Sequence, residues 1–294
     1  MHAMSSVGEV LRLAEQELKA SDAVEHPHAG KERYDAEELM AHVLGLELEG
    51  LELDEDQELG DLEARRFRQL LARRVRGEPV AYITGRILFG GMTLEVGAGA
   101  FIPRESSEFM AEQAARRLRT RREPIHIDLA TGVGPVALAV AREVPAARVF
   151  GVDLSDRPIV MARWNARRLG IRNVHFVKGD LFRPLADDLQ GRVDVVTIHP
   201  PYVRRAEMRQ LPDEIRRFEP AESLTDGSRT GMKLVERVAD EAPGWLRRHG
   251  GWLLIEVAPD RARSVATVLR HAGFKEVKST KGGVAVTRVV IGRT

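Results

Sequence analysis

Ile125-His126-Ile127-Asp128-Leu129-Ala130-Thr131-Gly132-Val133-Gly134 is the stretch that decides the fold. An apolar run ends at Leu129, a glycine-bearing turn follows, and Val136 to Ala141 continue as an apolar helix. Glycine lets backbone approach a ligand closely and tolerates positive φ. In open α/β sheets, ligands bind at the carboxyl ends of strands, near a topological switch point. Further short apolar runs at 149–152, 174–177, 193–198, 252–257, 274–277 and 284–291 alternate with helical patterns. That alternation predicts a mostly parallel α/β sheet covered by helices. The last two runs are separated by too few residues for a helical crossover, so they are expected to pair antiparallel.

The strand ends carry the candidate cofactor residues. Asp153 closes its strand about twenty residues after the glycine turn, where a carboxylate can accept two ribose hydroxyls. An N-cap for the following helix is its competing role. Leu154 follows it and joins the cofactor set. A third strand end reads Lys178-Gly179-Asp180-Leu181. There Asp180 can accept an adenine amine while Leu181 packs the ring, although capping and core roles compete. Asp128, Ala130, Thr131, Gly132 and Gly134 form the turn itself. On the turn alone, a nicotinamide enzyme stays open, because Gly132, Gly134 and Ala137 are a tolerated variant of its fingerprint.

A fourth strand ends in His199-Pro200-Pro201-Tyr202. Two prolines fix backbone dihedrals and remove two donors. The carbonyls there become rigid acceptors, able to hold a nitrogen substrate by its N–H groups. His199 also joins the cofactor set by its position.

Before this sheet, the first eighty residues read as helical. Val7, Leu11, Leu13, Ala14 and Leu18 follow helical spacing. A second helix is expected from Asp35, as its N-terminal residue, to Leu44, with Leu39, Met40 and Val43 apolar. A third runs from Leu62 to Val75, with Leu62, Phe67, Leu70, Leu71 and Val75 on one face. Residues 81–102, rich in Gly90-Gly91, Gly97 and Gly99, look like a β-hairpin connector. The expected division is 1–80 helical and substrate-recognising, 81–105 connector, and 106–294 cofactor-binding and catalytic.

Composition excludes several classes. With 45 basic against 44 acidic residues there is no basic excess, which argues against a nucleic-acid partner. No cysteine is present, so disulfides and thiolate chemistry are out. No apolar run reaches membrane-spanning length and no signal-peptide core is visible, so a cytoplasmic protein without a membrane partner is expected.

These motifs together resemble the class I methyltransferase sheet, and beyond it the HemK/PrmC-like release-factor glutamine N5-methyltransferases. Gly77-Glu78-Pro79-Val80-Ala81-Tyr82-Ile83-Thr84-Gly85 is similar to that family's G-x-P-x-x-Y-I-x-G. Phe101-Ile102-Pro103-Arg104-Glu105-Ser106-Ser107-Glu108 resembles its I-P-R-P-E-T-E segment, and Phe218-Glu219-Pro220 with Asp226 to Gly231 resembles its E-P…G-x-x-G segment. The resemblance implies an N-terminal helical domain, S-adenosylmethionine as cofactor and no metal. It implies acceptor chemistry at His199, Pro200 and Tyr202, with Phe101, Arg104, Glu105, Glu108, Pro201 and Glu219 on the substrate side.

The family's acceptor tetrapeptide is N-P-P-Y, and here His199 replaces the asparagine. Unlike an amide, imidazole titrates near neutrality and can take a proton. From this, the leading expectation is a diverged acceptor: a guanidino or amino nitrogen of a free amino acid such as arginine, or of a metabolite. Glu105 and Glu219 are candidate partners for such a cation. The alternatives are an orthodox release-factor glutamine methyltransferase that tolerates His199, and a non-catalytic cofactor-binding scaffold.

Overall fold

A computed structural model describes residues 6–26, 28–49, 51–282 and 287–294. The chain forms two compact units: residues up to Ala98 with Arg209–Glu219, and Gly99–Met208 with Pro220–Thr294.

In the first unit, helix α1 (Val7–Lys19) is capped by Ser6, whose hydroxyl accepts from Glu9 N at 3.3 Å. Val7, Leu11, Ala14 and Leu18 line its buried face. Leu13 does not share that face; two residues from Leu11 on a 3.6-residue turn, it points outward and is half exposed. Helix α2 (Lys31–Leu44) starts after Gly30, four residues earlier than expected. Asp35 is therefore not its N-terminal residue. It lies inside the helix, buried, paired with Lys31 and with Arg74 at 2.7 Å. Helix α3 (Asp61–Val75) buries Phe67, Leu71 and Arg74, whereas Leu62, in its exposed first turn, faces solvent. Arg74 also reaches Glu214 at 2.5 Å. That bond ties the distant segment 209–219, which contains α8 (Asp213–Phe218), into this unit.

The connector is not hairpin throughout. Val80–Thr84 forms a short helix, α4, and the hairpin proper is β1 (Arg86–Phe89) with β2 (Met92–Glu95). Phe89 pairs with Met92, leaving Gly90-Gly91 as a two-residue loop. Both have positive φ, 54° and 64°, the conformation that suits strand twist and demands glycine-like residues.

The second unit is a seven-stranded sheet. Its strands are β3 (Ile125–Leu129), β4 (Arg148–Asp153), β5 (Val174–Lys178), β6 (Val195–Ile198), β7 (Trp252–Val257), β8 (Lys275–Thr280) and β9 (Arg288–Arg293), in the order β5-β4-β3-β6-β7-β9-β8. The first five are parallel; β9 runs antiparallel to both β7 and β8. The sixth expected run begins one residue late, because Phe274 is core rather than strand, and part of the seventh (284–286) falls outside the described residues. Helices α5 (Ser106–Leu118), α6 (Pro135–Glu143), α7 (Asp156–Arg168), α9 (Ala221–Leu224), α10 (Lys233–Trp245) and α11 (Ala262–His271) complete the unit. Ile125, Ile127, Leu129, Val196 and Ile198 sit at its core, fully screened from water. Chain order reverses between β3 and β6, and the carboxyl ends of strands at such a switch point are where ligands of open α/β sheets bind. No helix of the described residues is long and apolar enough to cross a membrane.

Candidate active site

The turn after β3 is shaped by backbone conformation. Ala130, Gly132 and Gly134 all have positive φ, at 51°, 57° and 87°. A Cβ on Gly134 would come within 2.6 Å of the Phe176 ring, so only glycine fits there. A Cβ on Gly132 would meet nothing within 4 Å; it would project into open space above the turn. That open cradle is what an approaching ligand requires.

Asp128 holds the turn from beneath. Its carboxylate accepts from Thr131 Oγ1 and Thr197 Oγ1, each at 2.6 Å. Burial pushes its pKa up to about 6 against those hydrogen bonds. His126 Nε2 lies 2.8 Å from Thr197 Oγ1. Because that hydroxyl donates to Asp128, the ring donates to it, and burial, which lowers the His126 pKa to about 3, keeps the imidazole neutral.

Asp153 ends β4. Its Oδ2 accepts from Gly132 N at 2.9 Å and its Oδ1 from Ser155 N at 3.0 Å. The N-cap position of α7 belongs to Ser155, not to Asp153. Burial raises the Asp153 pKa, opposed by these backbone bonds. The Leu154 backbone N–H also bonds to this carboxylate, so three backbone donors hold it. Leu154, next in the chain, is 67% exposed. Asp153 O accepts from Gly179 N at 2.9 Å, which brings the loop carrying Asp180 alongside. Asp180 is not solitary: Arg237 of α10 donates to both its oxygens at 3.0 and 3.1 Å. Leu181 has φ 51° and is buried.

At the end of β6 the His199 ring sits between two aromatic side chains. Phe101 meets it edge-on, centroids 5.5 Å apart, and Tyr202 stacks on it at 5.7 Å. Its Nδ1 is 3.4 Å from Ser107 Oγ and 3.8 Å from Glu256 Oε2. Burial lowers the His199 pKa; Glu256 opposes the fall and Arg104 adds to it. Burial likewise raises Tyr202 to about 12, so it remains a neutral phenol.

The two prolines differ. Pro201 O accepts from Asp226 N at 3.0 Å, so its carbonyl is not available as an acceptor in the way the sequence suggested. Pro200 O accepts no hydrogen bond among the described residues. The Arg104 guanidinium lies 4.5 Å over the Phe101 ring. Glu105 precedes α5 and is solvent-exposed, and Glu108 lies in that helix's first turn. Glu219 belongs to the first unit, directly after α8, and is buried.

Sequence reasoning missed Glu256 and Thr197. Glu256 was findable: a lone acid within the apolar strand Trp252-Leu253-Leu254-Ile255-Glu256-Val257 is a buried charge that needs a partner. Thr197 carries no comparable signal, since threonine is an ordinary strand residue.

Residues 9–85 match the PrmC N-terminal domain, and residues 127–218 match a methyltransferase domain. A release factor glutamine methyltransferase of Geobacter sulfurreducens is 34% identical over 261 residues, covering 89% of each chain. One from Bordetella pertussis is 35% identical over 260 residues, covering 88% of this chain and 94% of its own. The chain belongs to the release factor glutamine methyltransferase family. A solved methyltransferase from Pyrococcus furiosus superposes with a TM-score of 0.51 at 17% identity, covering 78% of this chain and 98% of that one, a likeness of fold.

This family member is an S-adenosylmethionine-dependent methyltransferase. Its strand ends suit that cofactor, with an open glycine cradle after β3 and the Asp153 and Asp180 carboxylates at neighbouring strand ends. The comparisons do not support a free amino acid as acceptor; they favour the release-factor alternative over the diverged acceptor expected from His199.

Proposed function

We propose that the protein methylates the side-chain amide nitrogen of a glutamine in a peptide chain release factor, in the cytoplasm where such factors act. The observation that carries this reading is the similarity to relatives of that name, which spans the helical N-terminal region as well as the catalytic sheet. A metabolite acceptor would leave the matched N-terminal region without a purpose.

When bound, S-adenosylmethionine supplies a methyl carbon on a positively charged sulfur, with a good neutral leaving group. The chain's own residues mainly contribute proximity and orientation. Asp153 accepts a ribose hydroxyl through its remaining acceptor capacity. Asp180, Leu181 and the exposed Leu154 serve the adenine end. The backbone of Ala130, Thr131, Gly132 and Gly134 faces the amino-acid end, with Asp128 locking the turn. Pro200 O accepts one N–H of the glutamine amide, aiming the nitrogen at the methyl carbon. His199 makes the second polar contact and Tyr202 walls the pocket. Phe101, Arg104, Glu105, Glu108 and Pro201 form the substrate side.

The test is to incubate the protein with methyl-labelled cofactor and, separately, a bacterial release factor, that factor with its acceptor glutamine replaced by alanine, and a panel of free amino acids including arginine. Label on the intact factor alone is expected. Label on a free amino acid and none on the factor refutes the reading.

A further inference from the structure

Glu256 is fully buried in the middle of β7. Its Oε1 accepts from Ser106 Oγ and Thr287 Oγ1, both at 2.8 Å. Its Oε2 is buried with no donor among the described residues, 3.8 Å from His199 Nδ1. The other group near that nitrogen is Ser107 Oγ at 3.4 Å. Phe101 and Tyr202 fix the plane of the ring. The far nitrogen, Nε2, has no hydrogen-bond partner among the described residues.

A carboxylate oxygen only accepts, and leaving one buried without a donor is unfavourable. The hydroxyls of Ser106 and Thr287 are already directed at Oε1. Among the described residues, His199 Nδ1, 3.8 Å away, is a group that can turn a proton toward Oε2. With the proton there, the ring's lone pair is on Nε2.

We propose that Glu256 is a positioning residue: it holds His199 as the Nδ1–H tautomer and so makes Nε2 an acceptor for an N–H of the nitrogen being methylated. The acceptor's identity rests on the function proposed above; the tautomer does not. In the transfer, the nitrogen lone pair forms the N–CH3 bond, and the pair of the breaking S–CH3 bond stays on sulfur. The nitrogen then gives one proton to His199 Nε2. The imidazolium so formed faces Glu256 and returns the proton to solvent through the ring's exposed edge, 17% of the side chain. An asparagine at position 199 has no site to take that proton. The charged groups acting on the ring are Glu256 from β7 and Arg104 from the segment before α5. Asp260 and Arg261, beyond β7, act on the stacked Tyr202.

The test combines nitrogen-15 NMR of the histidine rings in the full chain with kinetics on a release factor; His199→Asn assigns the His199 signals. Wild-type protein at neutral pH is expected to show a protonated Nδ1 and an unprotonated Nε2. Glu256→Gln, nearly isosteric, should mix or invert the tautomers, whereas Ser107→Ala should leave them unchanged. In kinetics, Glu256→Gln should lower kcat about tenfold with the KM for cofactor unaltered. Loss of a carboxylate that favours imidazolium should move the acid limb of kcat about one pH unit lower. Adding Glu256→Gln to His199→Asn should cost nothing further, because one residue acts through the other. A wild-type Nε2–H tautomer, a tautomer that survives Glu256→Gln, one that changes in Ser107→Ala, or additive losses in the double variant would each overturn the proposal. Absence of methyl transfer to a release factor, with the NMR result as expected, refutes the acceptor and not the role of Glu256.

Discussion

Replacing Gly132 by alanine separates ligand binding from folding. A Cβ at this position meets no protein atom within 4 Å, so the substitution creates no clash. Its backbone cost is that of a left-handed residue, about 1–2 kcal/mol. Ala130 adopts φ 51° in the same turn, against 57° for Gly132, so the backbone here accommodates alanine and the cost belongs at the lower end. Gly134→Ala is the contrasting variant. At φ 87° its Cβ would press to 2.6 Å from the Phe176 ring and 3.3 Å from Ala162 Cβ. Overpacking of that kind adds about 1–3 kcal/mol to the backbone strain. Gly132→Ala should therefore lose about 1 kcal/mol in urea unfolding, and Gly134→Ala about 2–5 kcal/mol. Affinity should show a different order. The new methyl of Gly132→Ala occupies the cradle the cofactor needs, so calorimetric titration with S-adenosylmethionine should show at least about tenfold weaker binding, about 1.4 kcal/mol. Unchanged affinity in a folded Gly132→Ala protein would refute the placement of the cofactor above this turn.

Other substitutions probe other parts. Arg74→Ala leaves the buried Asp35 and the Glu214 carboxylate without their common cation and should cost about 3–5 kcal/mol of stability in chemical unfolding. The Asp128 pKa is raised in the fold, from an ordinary 3.8 to about 6, so the native state binds its proton more tightly and this residue's contribution to stability falls as pH rises from about 4 to 6. That fall is of order 3 kcal/mol, and Asp128→Asn should abolish it in stability measured against pH. Because burial lowers the His199 pKa below 6.5, the acid limb of kcat should lie below that pH and vanish in His199→Asn. Gly231→Ala places a Cβ 2.1 Å from Tyr202 O and should lower kcat by displacing the Pro-Pro-Tyr turn, with cofactor affinity preserved.

The sheet was legible because its strands are nearly continuous apolar runs separated by helical periodicity, from Ile125 to Trp252. The turn at Gly132 and the acid at Asp153 were legible because their spacing follows from strand and helix lengths. Helix starts were less so. Gly30 at φ 87° begins α2, and nothing in Lys31-Glu32-Arg33-Tyr34 marks a start as plainly as Asp35 appeared to. Buried Asp35 is matched by Lys31 on its own helix and by Arg74, thirty-nine residues away in the chain, which comes to meet it. Tertiary pairing also decided the carbonyls after β6: Asp226 takes Pro201 O, while Pro200 O has no donor among the described residues, a difference that no local pattern encodes. His199 stood out by departing from the family tetrapeptide, but its surroundings became readable only when β7 placed Glu256 beside it. The departure alone suggested a new acceptor, whereas the relatives along the whole chain favour the established one.

The most direct measurement is mass spectrometry of a bacterial release factor after incubation with this protein and S-adenosylmethionine. A gain of a single methyl group on a glutamine side chain, absent when that glutamine is replaced by alanine, is the predicted result. An unmodified factor, with the methyl group found instead on arginine or another free amino acid in the same mixture, would contradict the account.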